Sequence, residues 1–210
     1  MNSRYRDPGY PLRYWATQVE VNCPKCDCVA LIKGNPDIRA WHATLFCPHC
    51  AHTLKTGKSH WQGPVAGFGS RPCQRCGFQS VHCNLAFESA SQVSSPVGHA
   101  PCPNCQTDNA IELSFTRSAP ADHAIDPYFG LELALKEPTR HGVVWVYGAA
   151  HLKALKAYIQ ASLREGSGLK WAYFTRLPTW IKSGKNREEV LKAIARLERR
   201  AVSQANPEDQ

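Results

Sequence analysis

Residues 23–28, CPKCDC, and residues 47–50, CPHC, decide how the first half of this chain is read; residues 73–76, CQRC, and 102–105, CPNC, repeat the pattern. Each C-x-x-C places two thiols on one tight turn. Two such turns joined by a hairpin present four sulfurs to one ion. Twenty residues separate Cys26 from Cys47 and twenty-five separate Cys76 from Cys102, which is the order of spacing of a zinc ribbon. The predicted ligands are therefore Cys23, Cys26, Cys47 and Cys50 for one zinc, and Cys73, Cys76, Cys102 and Cys105 for a second, two ions per chain. Proline follows the first cysteine in three of the pairs and fixes one backbone angle of the knuckle. In the fourth, Gly77 follows Cys76 and can take the positive φ that a knuckle often requires.

The intervening residues suit this design. Val29–Lys33 reads as a strand, 34–37 (GNPD) as a turn, Arg39–Phe46 as the returning strand and His52–Lys55 as a third. In the second copy Phe78–Phe87 and Ala110–Phe115 read as strands around a Ser/Pro/Gly-rich loop, Ser89–Ala100. None of the four pairs precedes a helical pattern, which argues against thioredoxin-type redox chemistry; iron–sulfur ligation is the remaining alternative. Complete four-cysteine sets leave no open position on the ion, the hallmark of structural rather than catalytic zinc. Cys28, Cys83, His42, His49, His52, His82 and His99 lie near these sets, and any of them can replace a neighbouring ligand.

Beyond Phe115 the composition changes and no cysteine occurs. Phe129–Lys136 and Val143–Tyr147 read as strands, and Ala149–Glu165 as a helix closed by Gly166, with Leu152, Leu155, Tyr158, Ile159 and Leu163 on one face. Asn186 with Glu189 resembles a capping box opening a last helix whose buried stripe is Val190, Ile194 and Leu197. The fold class expected is α+β: two tandem zinc-ribbon β units followed by a small strand-and-helix domain. Its parts are an N-terminal arm at 1–14, ribbons at 15–66 and 67–116, a linker at 117–127, the C-terminal domain at 128–200 and a tail at 201–210.

The runs DPYFGLELAL, VVWVYGAAHLKALKAYIQASLRE and LPTWIKSGKNREEVLKAIARL, spanning Asp126–Leu197, together with the cysteine knuckles, resemble uncharacterised bacterial proteins that carry an N-terminal zinc ribbon of the general transcription-factor type. The resemblance implies a bacterial cytoplasmic setting. It brings no activity and no site residues.

The 210 residues carry a formal net charge of +8, with 43% hydrophobic and 20% charged residues, a globular composition. No apolar run approaches the roughly 20 residues of a membrane helix, and residues 1–15 lack the apolar core of an export signal, so a cytoplasmic protein without a membrane partner is expected. Each zinc held by four thiolates carries a formal −2, so the basic excess of the metal-bound protein is about half the raw figure. What remains basic is local. Arg13, Lys25, Lys33, Arg39, Lys55 and Lys58 are interleaved with Tyr14, Trp15, Trp41 and Trp61 in the first unit. Lys192, Arg196, Arg199 and Arg200 share an arc of the last helix.

Lys25, Lys33, Arg39, Trp41, Lys192, Arg196, Arg199 and Arg200 are thus the candidate contacts to a partner. That partner is nucleic acid, met by phosphate neutralisation and base stacking, or equally a protein, as for an immunity or antitoxin protein that blocks a toxin, or an adaptor subunit. No Ser/His/Asp order, phosphate loop or carboxylate pair stands out, so a non-enzymatic binding protein without a small-molecule substrate is expected. Structural zinc is worth about 10–16 kcal/mol in small fingers, against about 5–15 kcal/mol for a whole domain. Chelation is therefore expected to unfold residues 15–115, read as loss of far-UV circular dichroism and of proteolytic protection.

Overall fold

In a computed structural model, residues 4–35, 37, 42–57, 60–118 and 124–205 are described, with side chains to 202. The architecture is α+β. By its contacts the chain falls into two compact units, Met1–Gly57 with Asp122–Gln210, and Lys58–Ala121. The cysteine hairpin at residues 23–50 thus shares a unit with the C-terminal strands and helices, rather than preceding them as a module of its own. Among the described residues no helix is long and apolar enough to cross a membrane.

In the first unit, strand β1 (Arg4–Arg6) leads through a 3-10 turn, Leu12–Thr17, into an antiparallel sheet. That sheet is β2 (Gln18–Asn22), β3 (Val29–Asn35), β4 (His42–Phe46) and β5 (Thr53–Lys55), in that spatial order. Strand alternation turns Val19, Val21, Ala30, Ile32, Ala43 and Leu45 inward onto Tyr128, Phe129, Leu131, Leu133 and Tyr147. The returning strand is described from His42; the start expected at Arg39 and most of the turn joining it to β3 lie outside the described residues.

The second unit holds β6 (Val65–Arg71), β7 (Val81–Phe87), β8 (Val97–Pro101), β9 (Asp108–Glu112) and β10 (Ser114–Arg117). These form a three-stranded sheet ordered β10-β6-β7 and a separate β8-β9 pair. The boundary expected at 66/67 cuts through β6, whose residues 65–71 pair with β7 and β10. The run expected as one strand, Ala110–Phe115, breaks at Leu113 so that its halves join different sheets. Part of the expected loop at 89–100 pairs as β8. The core here is small: Val81, Cys83, Ala100, Ile111 and Leu113 around Cys73 and Cys102.

Returning to the first unit, residues 126–131 form a turn rather than a strand. Asp126, expected in a linker, is fully buried, and its carboxylate accepts from the N–H groups of Tyr128, Phe129 and Leu131 at 2.7, 2.8 and 2.6 Å. That turn drives Tyr128 across β3, where its hydroxyl donates to the Ala16 carbonyl at 2.9 Å. The hairpin β11 (Lys136–Thr139)–β12 (Gly142–Trp145) follows, then α1 (Ala149–Gln160). The Glu20 carboxylate accepts from the Ala149 N–H, so a β2 side chain satisfies one of the free donors that open α1. Burial raises the Glu20 pKa, against this contact, which lowers it.

Helix α1 ends five residues earlier than periodicity predicts. Leu163–Glu165 becomes strand β13, parallel to β1, and Leu163 is exposed. The backbone of residues 4–6, joined by the Arg4–Glu165 ion pair, offers partners that override helical spacing. Short helices α2 (Tyr173–Arg176) and α3 (Thr179–Lys182) lead to α4 (Arg187–Ala205). Val190, Ile194 and Leu197 of α4 pack with Leu152, Leu155 and Ile159 of α1, as the two stripes predict. The capping box is replaced by longer reaches: the Asn186 amide donates to the Trp180 carbonyl, and Glu189 takes the Arg140 guanidinium.

Gly34 is the point where Tyr128 meets the sheet. A Cβ at Gly34 would stand 2.2 Å from the Tyr128 hydroxyl oxygen and 2.3 Å from its ring carbon. Tyr128 is held at both ends and cannot retreat. Gly34→Ala is expected to cost about 1–3 kcal/mol by overpacking, seen as a lower urea midpoint with unchanged slope.

Candidate metal centres

Each cysteine knuckle is built the same way. The N–H of the first cysteine donates to the carbonyl five residues on: Cys23 to Cys28 at 2.8 Å, Cys47 to His52 at 2.9 Å, Cys73 to Phe78 at 2.8 Å and Cys102 to Thr107 at 2.9 Å. The fourth residue after that cysteine sits at positive φ: Asp27 at 59°, Ala51 at 54°, Gly77 at 71° and Gln106 at 60°. Glycine takes this conformation without strain, as anticipated for Gly77; the other three are held in it by the closed turn.

These turns bring the eight predicted ligands into two groups. Cys23 lies 3.7 Å from Cys50 and Cys26 lies 3.6 Å from Cys47, sulfur to sulfur. Cys73 lies 3.6 Å from Cys105 and Cys76 lies 3.7 Å from Cys102. Within each group all four sulfurs are within 4.8 Å of one another, and each group can hold a metal ion. A tetrahedron with metal–sulfur bonds near 2.3 Å has edges of about 3.8 Å, so the spacing fits. All ten cysteines are free thiols, so no sulfur is spent on a disulfide.

Polar hydrogens converge on the sulfurs with mixed effect: the Cys28 N–H pulls Cys26 down, yet burial and the neighbouring sulfurs leave it raised, and burial leaves Cys50 raised as well. The Cys76 N–H, and after it the Arg75 N–H, hold Cys73 down at about 6 against burial. Burial pushes Cys47 up, but the Cys50 and His49 N–H groups and neighbouring sulfurs bring it down to about 7. Burial leaves Cys102 raised, to about 11. The Asn109 and Asn104 amides reach Cys73 and Cys76 at 3.8 and 3.5 Å, a contribution that spacing alone does not reveal.

Among the other cysteines and histidines near the sites, Cys83 is a core residue whose thiol donates to the His99 carbonyl at 3.7 Å. His82 bonds Ser80, and His99 pairs with Asp108 at 2.6 Å. Cys28 and His49 make a further three-donor group with Cys26, which they share with the four-cysteine set.

The candidate partner contacts disperse. Lys25 is exposed at the tip of the first knuckle and Lys33 on the outer face of β3. Arg39 and Trp41 lie outside the described residues. Trp15 is packed inward, its ring stacked on His151 at 5.3 Å. On α4, Lys192 pairs with Glu188 at 2.7 Å, and Arg199 is exposed. Arg196 and Arg200 lie 2.6 and 2.7 Å from the two carboxylate oxygens of Glu137, which is nearly buried. Two of the four cations on the expected anion-binding arc thus neutralise an internal carboxylate instead.

His151 is enclosed by aromatic rings. Its Nδ1 accepts from the Tyr147 N–H at 3.1 Å, so the neutral ring carries its proton on Nε2. Burial drives its pKa from 6.5 down to about 3. The unfolded ring takes a proton near 6.5 and the folded ring does not until about 3. Stability present above 6.5 is therefore lost as the pH falls between those values, by about 1.4 kcal/mol per unit. His151→Phe is expected to remove this slope in urea unfolding measured at matched pH, where acid effects on the thiols are common to both proteins.

Metal removal is expected to act unequally on the two units. The second has a small core around its cysteines, whereas the first has two larger clusters, one of them without cysteine. Chelation should melt residues 65–117 while α1 and α4 keep their helical signal and amide protection, a narrower outcome than unfolding of all of 15–115.

Comparison of the chain with protein-family models, with curated proteins and with solved structures finds no match to any of them.

Proposed function

We propose that this chain is a non-enzymatic, zinc-stabilised binding protein, and that the outer face of its first sheet holds single-stranded nucleic acid. Zinc is the ion best suited to two closed sets of four thiolates, having no redox chemistry and no d-electron preference against a tetrahedron. The tandem units are then zinc ribbons, each stapled by one ion.

The observation that carries the binding reading is a cross-strand row. Gln18, Lys33, Thr44 and Lys55 are register partners on successive strands, and all four are exposed. In the next row on the same face, Phe46 is 50% exposed beside Leu31 and Thr53. A bare aromatic ring flanked by two lysines suits base stacking with phosphate contact, and base–aromatic stacking is worth about 1–3 kcal/mol per base. Exposed Tyr10 and Tyr14, stacked 3.9 Å apart, add aromatic surface in the same unit.

A second reading, a protein partner such as a toxin held by an immunity protein, draws on the other unit. Residues 61–120 have three basic and three acidic residues, so a bound tetrathiolate centre makes that unit acidic, and Phe68 and Phe78 are exposed there. Exposed aromatics on a rigid scaffold favour protein docking.

The test is fluorescence anisotropy of the zinc-loaded chain with labelled oligo-dT and oligo-U across a salt series. Binding should weaken with salt, and Phe46→Ala should lower affinity roughly 5- to 150-fold. Lys33→Ala combined with Lys55→Ala should flatten the log–log salt slope by about one to two units. No binding to either probe at low salt overturns the nucleic-acid reading.

A further inference from the structure

The two cysteine units are internal controls for one another. Knuckle by knuckle, Cys23, Cys26, Asp27 and Cys28 correspond to Cys73, Cys76, Gly77 and Phe78, sharing the same closing hydrogen bond and the same positive φ. In the second knuckles, Cys47, His49 and Cys50 correspond to Cys102, Asn104 and Cys105. The second unit gathers its four sulfurs with a phenylalanine and an asparagine at the two remaining places, and the Asn104 amide serves there as a hydrogen-bond donor to Cys76, 3.5 Å away. Neither place is needed to complete a four-cysteine set.

In the first unit those same two places hold metal-binding donors, Cys28 and His49. The Cys26 and Cys28 sulfurs and a His49 ring nitrogen all lie within 4.8 Å of one another. Cys28 is half-buried and His49 is exposed, so the group opens to solvent. Soft thiolate and imidazole together suit zinc and similar ions, not calcium or magnesium.

We infer that the first centre binds a second ion of the zinc class, with Cys26 as a bridging thiolate and Cys28 and His49 as the other protein ligands. The inference rests on the reading that the four-cysteine group itself holds zinc. A dication in four thiolates has formal charge −2; adding a second dication, one further thiolate and a neutral imidazole brings it to −1, so the bridged pair spreads the charge that a single ion leaves uncompensated. As the ion binds, the Cys28 S–H bond breaks, its electron pair goes to the metal and its proton goes to solvent. The fourth position is left to water or an external thiol, which makes this ion exchangeable where the four-cysteine ions are closed off.

The test uses the full chain saturated with cadmium, read by native mass spectrometry and by 113Cd NMR, with Cys28→Ser and His49→Ala beside the wild type. Both variants retain eight ligands in two complete sets, so far-UV circular dichroism should not change. Three ions in the wild type and two in each variant are expected. Two of the three wild-type resonances should be coupled through the shared Cys26 sulfur. Two ions in all three proteins, or three in all three, overturns the bridged site alone. Three mutually uncoupled resonances also overturn it. Fewer than two ions in the wild type overturns both this site and the structural-zinc reading beneath it.

Discussion

Four sulfurs drawn to within 3.6–3.7 Å of their neighbours, twice over, form an arrangement that thiolates cannot hold unaided. As thiolates they repel one another unless a cation lies between them, and each group can hold a metal ion; in the second group two asparagine amides add partial positive charge around the sulfurs. Everything local to the knuckles follows from this convergence. Three non-glycine residues accept left-handed backbone, each at a cost of order 1–2 kcal/mol, because the turn that aims the sulfurs requires it. A metal bound by the four sulfurs would outweigh several such costs.

The two units lean on that convergence to different degrees. In the second, the buried apolar side chains are few and crowd around Cys73 and Cys102, so sulfur geometry and core are one feature. In the first, the sheet carrying Cys23 and Cys47 has an independent anchor: Asp126 folds the chain into a turn, the turn projects Tyr128, and Tyr128 lies on Gly34 and bonds Ala16. Glu20 of the same sheet meets the start of α1. Any change in how well the first centre is held therefore reaches the C-terminal helices through packed atoms within one unit, and a change at α1 reaches back.

What was legible in the sequence was what depends on near neighbours. Cysteine spacing revealed both donor groups, because a knuckle is closed by bonds spanning four or five residues. The stripes of α1 and α4 were legible because helical periodicity is local. The features that escaped depend on partners far along the chain. Leu163–Glu165 leaves the helix to pair with residues 4–6, and Asp126, polar and in a Pro/Ala/Asp-rich stretch, is buried by a turn whose donors it supplies with acceptors. Asn186 and Glu189 fit a capping pattern yet spend their side chains on Trp180 and Arg140. Residue type at one position was ambiguous in each of these cases until its distant partner was known.

Charge shows the same distinction, and it bears most on function. A count of basic residues treats all cations alike, but a folded chain sorts them by what they face. Arg196 and Arg200 face Glu137, some sixty residues earlier and nearly buried; removing them would leave a carboxylate without compensation, so their role is internal. Lys136 is paired with Glu132 and Lys156 with Glu198. Lys33 and Lys55 differ in position: they stand on one face of a sheet, two strands apart, with a neutral threonine between them and a bare phenylalanine in the adjoining row. Two aligned cations beside an aromatic ring would meet a charged ligand at contact range, a placement that a net-charge count does not register. Metal held by the two four-cysteine groups would lower the net charge without touching this arrangement. Local placement, and not the overall basic excess, is therefore the electrostatic property that a partner of this face would meet.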